Sequence, residues 1–207
     1  MGNEPLIDDA LKQELSALYG AAGRHYHGMA HIRTLLALAA EYRGQLSDPE
    51  AVAAAIWFHD AVYDSRAKDN EAQSARLARR KLEGRTERRR LERIAAMIEA
   101  TATHRVPAFA DAAAVRDAAL FLDMDLSALG APPQSYAAYE QAVRQEYGWV
   151  PEADWVAGRA AVLKGFLARD PIFHTPEFRR RFEAQARENM AASLARLTVQ
   201  AQSGFSA

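Results

Sequence analysis

The pair His59-Asp60 stands at the end of the apolar run Ala53-Ala54-Ala55-Ile56-Trp57-Phe58. An imidazole and an ionised carboxylate carried into such a setting lose hydration that something must replace, and a divalent cation replaces it for both at once. A two-residue dyad recurs by chance, so its meaning depends on partners elsewhere in the chain. His31 shares a helical face with Leu35 and Leu38, which turns its ring inward. His59 and Asp60 are about 100° apart around a helix, so both reach an ion lying between their directions. Asp123 and Asp125 are the remaining carboxylates, and two positions correspond to about 200° of rotation, so a regular helix aims only one of them at the ion. Asp125 lies within about 60° of Ala118, Phe121, Leu122 and Leu129, whereas Asp123 falls nearest Arg116, Ala119 and Ser127. The carboxylate on the apolar side needs the compensation. Asp125 is therefore the fourth expected ligand, and Asp123 is expected to support the site from behind or to pair with Arg116. The expected set for one divalent ion is His31, His59, Asp60 and Asp125, and such ligands accept Mn, Fe, Co, Ni, Zn or Mg.

These residues must arrive on separate helices, because one helix rarely presents a full coordination set. The apolar spacing predicts a helix over residues 5–19, ended by Gly20 and Gly23, and a second running to about Arg43 through Leu35, Leu38 and Tyr42. Asp48-Pro49-Glu50 is a helix start with an N-cap acid, and that helix delivers His59 and Asp60 near its C-terminal end. Further helices are predicted from Asn70-Glu71 to Gly84, over 85–103 before His104 and Pro107, over 111–129, and over about 134–147, 152–169 and 176–197. The tail from Gln200 to Ala207 is expected to fray. No segment alternates as a strand does, and there is no repeat or low-complexity linker. The expected class is all-α: one domain spanning 1–207, with a core over about 19–130 and the helices of 134–197 packed on it.

A chain of 207 residues with 49% hydrophobic and 26% charged residues can bury a sizeable core. Its net charge of -1 supplies no field for nucleic acid or an anionic membrane. The basic run Arg79-Arg80-Lys81 through Arg93 is interleaved with Glu83, Glu87 and Glu92, the pattern of a solvated helix surface rather than a nucleic-acid stripe. The aromatic group Tyr136, Tyr139, Tyr147, Trp149 and Trp155 is expected to serve as core or to pack against the first helices. With no cysteine, thiolate sites and disulfides are excluded. Neither an apolar run of about 18 residues nor a signal-like N-terminus is present, so a cytoplasmic protein is expected, as monomer or homodimer. There is also no G-x-S-x-G elbow and no Walker-type phosphate loop.

The order His31, His59-Asp60, Asp125 on successive helices resembles the HD-domain superfamily of metal-dependent phosphohydrolases, and within it the bacterial group of predicted metal-dependent HD phosphohydrolases. The likeness runs from about Tyr19 to Leu197. It rests on RHYHGMAHI at 24–32, FHDAVYD at 58–64 with Asn70-Glu71 and Ser74-Ala75, FLDMDLSALG at 121–130, and Gly158-Arg159 with FLARDPIFHT at 166–175. One departure is Asp123-Met124-Asp125-Leu126, where many members read Asp-Ala-Asp-Arg-Leu, one residue longer. The resemblance implies an HD-like helical bundle with additional C-terminal helices. It also implies hydrolysis of a phosphate ester or anhydride, on a nucleotide-like or other small phosphorylated substrate, by metal-activated water. Arg24 and His27, one or two turns before His31, are expected near phosphate, and Arg159 is a phosphate clamp by resemblance. Asp60 and Glu71 are expected in acid-base work, with Glu71 alternatively holding a second ion, and His104 approaches from another wall. His25 and His174 have no expected role. The alternative is a catalytically silent HD fold that binds a nucleotide as a regulatory or interaction module.

Overall fold

The computed structural model describes residues 5–203, and every regular element among them is helical. The chain falls into two compact units, Met1–Asp125 and Leu126–Ala207. The first contains α1 (Asp9–Tyr19), α2 (Met29–Glu41), a 3₁₀ turn (Arg43–Gln45), α3 (Pro49–Phe58), α4 (Asn70–Leu82), α5 (Arg88–Ala100) and α6 (Ala112–Asp125). At its centre is α3, which packs against α1, α2, α4, α5 and α6. Val52, Ala54, Ala55, Ile56 and Phe58 are wholly buried, as expected of a helix that is apolar all round.

The start of α3 is fastened from three directions. Pro49 occupies the first helical position, and the Asp48 carboxylate accepts from the Ala51 amide at 3.1 Å. Arg90 of α5 donates to Asp48 at 2.6 Å. From α6, the buried Asp117 carboxylate accepts from the Ser47 and Asp48 amides at 2.8 and 2.9 Å. A helix held this firmly at one end presents its other end, the dyad, in a fixed place.

Several boundaries differ from the expected ones for local reasons. α1 begins at Asp9 rather than residue 5, because Asp8 caps it by accepting from the Leu11 amide at 2.8 Å, while Leu6 and Ile7 are buried ahead of the cap. α5 covers 88–100 rather than 85–103: Gly84 is left-handed at φ 76 and Glu87 is extended. α6 stops at Asp125, and residues 126–130 tighten into a 3₁₀ turn instead of continuing the helix to 129.

The second unit contains that 3₁₀ turn (Leu126–Gly130), α7 (Pro133–Glu146), α8 (Glu152–Leu167), α9 (Pro176–Phe178), a π turn (Arg179–Glu183) and α10 (Ala184–Ser203). α8 lies along α10, and Phe173, Phe178 and Phe182 pack ring on ring at 5.4 to 6.3 Å. Gly130 is required where it stands: a Cβ there would come within 2.6 Å of Phe182. Helix continues through Ser203 where fraying was expected from Gln200, and 204–207 lie outside the described residues. Tyr136 is buried, but Trp149 is 47% exposed and stacks on Tyr147.

The basic run of α4 and α5 is largely committed to ion pairs between elements. Arg79 pairs with Glu92 and Glu99, Lys81 with Glu14, Arg85 with Asp8, and Arg90 with Asp48 and Glu50. No helix among the described residues is long and apolar enough to cross a membrane.

Candidate metal centre

Three side chains of the first unit, His31, His59 and Asp125, bring their ligand atoms together. His31 enters from the third residue of α2, His59 is the C-cap of α3, and Asp125 is the last residue of α6. His31 Nε2 lies 3.2 Å from His59 Nε2 and 3.1 Å from Asp125 Oδ1, and His59 Nε2 lies 3.5 Å from the same oxygen. Asp60 Oδ2 joins from the edge, 2.9 Å from His59 Nε2 and 3.9 Å from His31 Nε2. Both histidines are almost completely buried.

The proton arrangement makes this group unusual. His59 Nδ1 is 2.9 Å from the Ile56 carbonyl, which can only accept, so Nδ1 carries the hydrogen. In the neutral ring, Nε2 then offers a lone pair toward His31, Asp60 and Asp125. Several acceptors facing one point repel unless a proton or a cation stands between them. Ligand atoms about 2.0–2.2 Å from a common ion, at angles of about 90–110°, are about 2.8–3.6 Å apart. The separations of 2.9, 3.1, 3.2 and 3.5 Å fall inside that range, and the 3.9 Å between His31 and Asp60 lies just outside it. The group could hold a metal ion, and its donors suit one chemically as well as geometrically. The carbonyl that fixes the His59 tautomer is the partner a ligating imidazole commonly has on its far nitrogen.

Without a cation, a proton takes its place. Burial works to lower the His59 pKa, but the Asp60 charge and the hydrogen bonds with Asp125 and Asp60 outweigh it, leaving His59 raised well above its ordinary value. For Asp60, burial works upward and is outweighed by the charges of His59 and His27, so the carboxyl stays well below its usual range. Asp125 is lowered likewise: burial opposes ionisation, while His104, His31 and His59 favour it.

Around this group the remaining expected residues take different places. His104 contributes Nε2 to Asp125 Oδ2 at 2.9 Å. It does so from a left-handed backbone at φ 50, just past the end of α5, a conformation that a non-glycine residue adopts only under constraint. Arg24, expected near phosphate, has its guanidinium on backbone carbonyls beside the dyad. Its guanidinium donates to the carbonyls of His27 at 3.0 Å, Asp60 at 2.6 Å and Ala61 at 2.9 Å, which fastens the turn carrying the dyad. His27 stacks on Tyr63 at 4.3 Å, and its ring is 6.4 Å from that of His31. Glu71 is half-buried in the first turn of α4 and enters none of the hydrogen bonds or ion pairs of the group. Arg159 belongs to the second unit, where its nearly buried side chain lies over the Tyr139 ring, 3.5 Å from the Tyr139 hydroxyl and 3.6 Å from Glu140.

Asp123 is not part of the group. It is fully buried, and Arg116 on the same helix donates to Gln45 at 2.7 Å. Residues with no expected role complete the support. The Tyr19 hydroxyl donates to the Trp57 carbonyl at 3.0 Å, tying α1 to the end of α3. Asn70 accepts from the Asp64 amide and donates to its carbonyl, and Ser74 does the same for Val62. Asn70 and Ser74 thus bind the segment after the dyad to α4. Their signal in the sequence was two short polar side chains spaced i, i+4 at a helix start, directly after the loop they hold.

No protein-family model, curated protein or solved structure matches the chain.

Proposed function

We propose that the chain is a metal-dependent phosphohydrolase of HD type, holding one divalent ion on His31, His59, Asp60 and Asp125. The observation that carries this reading is the convergence of two imidazole Nε2 atoms and an Asp125 oxygen within 3.5 Å, with the His59 tautomer already set for ligation. When bound there, an ion supplies Lewis acidity toward a phosphoryl oxygen and makes water a competent nucleophile near neutral pH. The ends of α3 and α5 both deliver residues to the group, and helix C-termini carry partial negative charge that favours a cation.

The chain's own residues divide the remaining work. Arg24 and Ser74 keep the dyad turn rigid, and His104 holds one Asp125 oxygen so that the other faces the histidines. Glu71 stands on the element packed beside the dyad with its carboxylate uncommitted, which suits a group that accepts a proton from water or gives one to a leaving oxygen. His27, beside Asp60 and stacked on Tyr63, is the nearer candidate for a phosphate contact. The substrate is a small phosphorylated molecule.

Metal analysis of purified protein, followed by a screen of phosphomonoesters, phosphodiesters and nucleotides with Mn, Co, Ni, Mg or Zn, tests the reading. Bound metal near one equivalent and phosphate release that disappears in both Asp60→Ala and Glu71→Gln are expected. Metal-free protein with no turnover across the panel would sink the reading, and equal turnover in wild type and Asp60→Ala would trace the activity to a contaminant.

A further inference from the structure

A second place in the first unit collects charge that the metal group does not use. Between α4, α5 and residues 105–111 lies a cleft of about 440 Å³, whose charged lining is Arg79, Arg89 and Arg93 against Glu92 and Asp111, with Phe109 among its apolar walls. That volume lies within the range of small-molecule sites, about 300–1,000 Å³. The three guanidiniums are not equally engaged. Arg79 is held by Glu92 and Glu99 at 2.9 and 2.8 Å. Arg93 reaches Asp48 and Asp111 only at 3.5 and 3.6 Å, and its Nε is buried with no hydrogen-bond partner. Arg89 is exposed and enters none of the ion pairs that engage its neighbours.

At 3.5 and 3.6 Å the Arg93 Nη contacts are ion pairs too long to be hydrogen bonds, so those Nη donors, rather than the enclosed Nε, are free to take an arriving acceptor. Two guanidiniums with uncommitted donors match an oxyanion, and planar, forked donors match phosphate and phosphonate best. Phe109 and the alanines offer an apolar wall beside them. We infer that this cleft binds a small organic phosphate, its oxyanion held by Arg89 and Arg93 and its flat or apolar part laid against Phe109. The site shares no residue with the metal group. It borders it in sequence, because the segment carrying Ala108 and Phe109 begins one residue after His104, which holds Asp125.

Phenylphosphonate is a suitable probe, being aromatic, dianionic and resistant to hydrolysis. Calorimetric titration is run on the protein as purified and again after dialysis against EDTA, which separates cleft binding from capture by a bound metal. One saturable site of similar affinity in both preparations is expected. Arg89→Gln should weaken it about tenfold, the loss of one charge-assisted contact. Arg93→Gln and Phe109→Ala should each weaken it too, and Arg89, being exposed, keeps the test valid if Arg93→Gln fails to fold. Arg88→Gln removes the same charge one residue away, outside the cleft lining, and should leave affinity unchanged. The inference is overturned if binding is not saturable, if EDTA abolishes it, or if Arg88→Gln weakens it as much as Arg89→Gln.

Discussion

Each of the two units gathers polar side chains around a largely buried carboxylate, and they satisfy it in opposite ways. In the second unit, Glu140 accepts from the Tyr136 hydroxyl at 3.2 Å, from the Ser193 hydroxyl, and from Arg196 at 2.8 Å, with Arg159 at 3.6 Å. Every partner is a donor that carries its hydrogen at neutral pH, so the group is complete in itself. In the first unit, Asp125 meets His31, His59 and His104, while Asp60 faces His59 as well. A neutral His59, with its one hydrogen on Nδ1 toward Ile56, has none to give toward the centre, so this group is completed only by an added proton or a cation. The Glu140 group is closed by its own donors, whereas the Asp125 group is completed by a positive charge that either a proton or an ion can supply.

The largest expected effect follows from that difference. At about 100 times its dissociation constant, a divalent ion should stabilise wild-type protein by about 2.7 kcal/mol, roughly 5–10 °C in Tm for a chain of this size. Asp125→Asn should abolish that increment. Thermal melts with and without added metal measure it, and a Tm that ignores metal in the wild type would erase the distinction between the two groups.

Glu140→Ala is the converse test. It leaves the nearly buried Arg159 guanidinium without its carboxylate and two hydroxyls without an acceptor. Breaking a buried pair costs about 3–5 kcal/mol, and partial exposure of Glu140 reduces this to about 2–3 kcal/mol. The loss should be the same with metal or with chelator. A loss that appeared only with metal present would mean that the second group is not self-sufficient.

Why one carboxylate was readable in the sequence and others were not comes down to how α6 is buried. Helix phase selected Asp125 over Asp123 by supposing a polar side to this helix, yet from Asp117 to Met124 it is buried all round. Asp123, on the supposedly polar side, is the more deeply buried of the two. Phase identified which direction Asp125 points; polarity could not say which side met solvent. Asp117 escaped notice although it shares a face with Ala114, Phe121 and Met124, the same signal of a carboxylate in an apolar stripe that drew attention to Asp125. Arg24 was unreadable for another reason: its partners are backbone carbonyls 36 and 37 residues away, and backbone acceptors leave no trace in residue types. The helices themselves, whose apolar spacing is local, were legible nearly throughout.

In metal-free protein, the raised pKa of His59 contributes stability that is fully present below its ordinary value near 6.5 and is lost as pH rises through the folded value. The lowered carboxyls of Asp60 and Asp125 contribute stability present above about pH 3.8 and lost as pH falls through their folded values. Metal-free protein should therefore be most stable between those limits and weaken on the alkaline side. A bound ion replaces the His59 proton, so metal should remove the alkaline decline and its own benefit should shrink in acid. Melts across pH 4–10 in EDTA and in excess metal read both slopes, and an alkaline decline unaffected by metal would place its cause elsewhere.

The smallest effect concerns His104, and it separates support for the metal group from ordinary helix-end chemistry. His104→Asn keeps a residue type that tolerates the left-handed backbone but withdraws the imidazole from Asp125. Partners of metal ligands typically carry about 10- to 100-fold in affinity, so a loss of about tenfold, roughly 1.4 kcal/mol, is expected in a metal titration. Stability in chelator should change by less than about 1 kcal/mol, because the left-handed turn itself survives. His104→Ala should lose the same metal affinity and additionally strain the turn, adding about 1 kcal/mol of destabilisation that Asn avoids. If Asn at this position bound metal as tightly as the wild type, the strained turn would be serving only the end of α5, and the open group would consist of His31, His59, Asp60 and Asp125 alone.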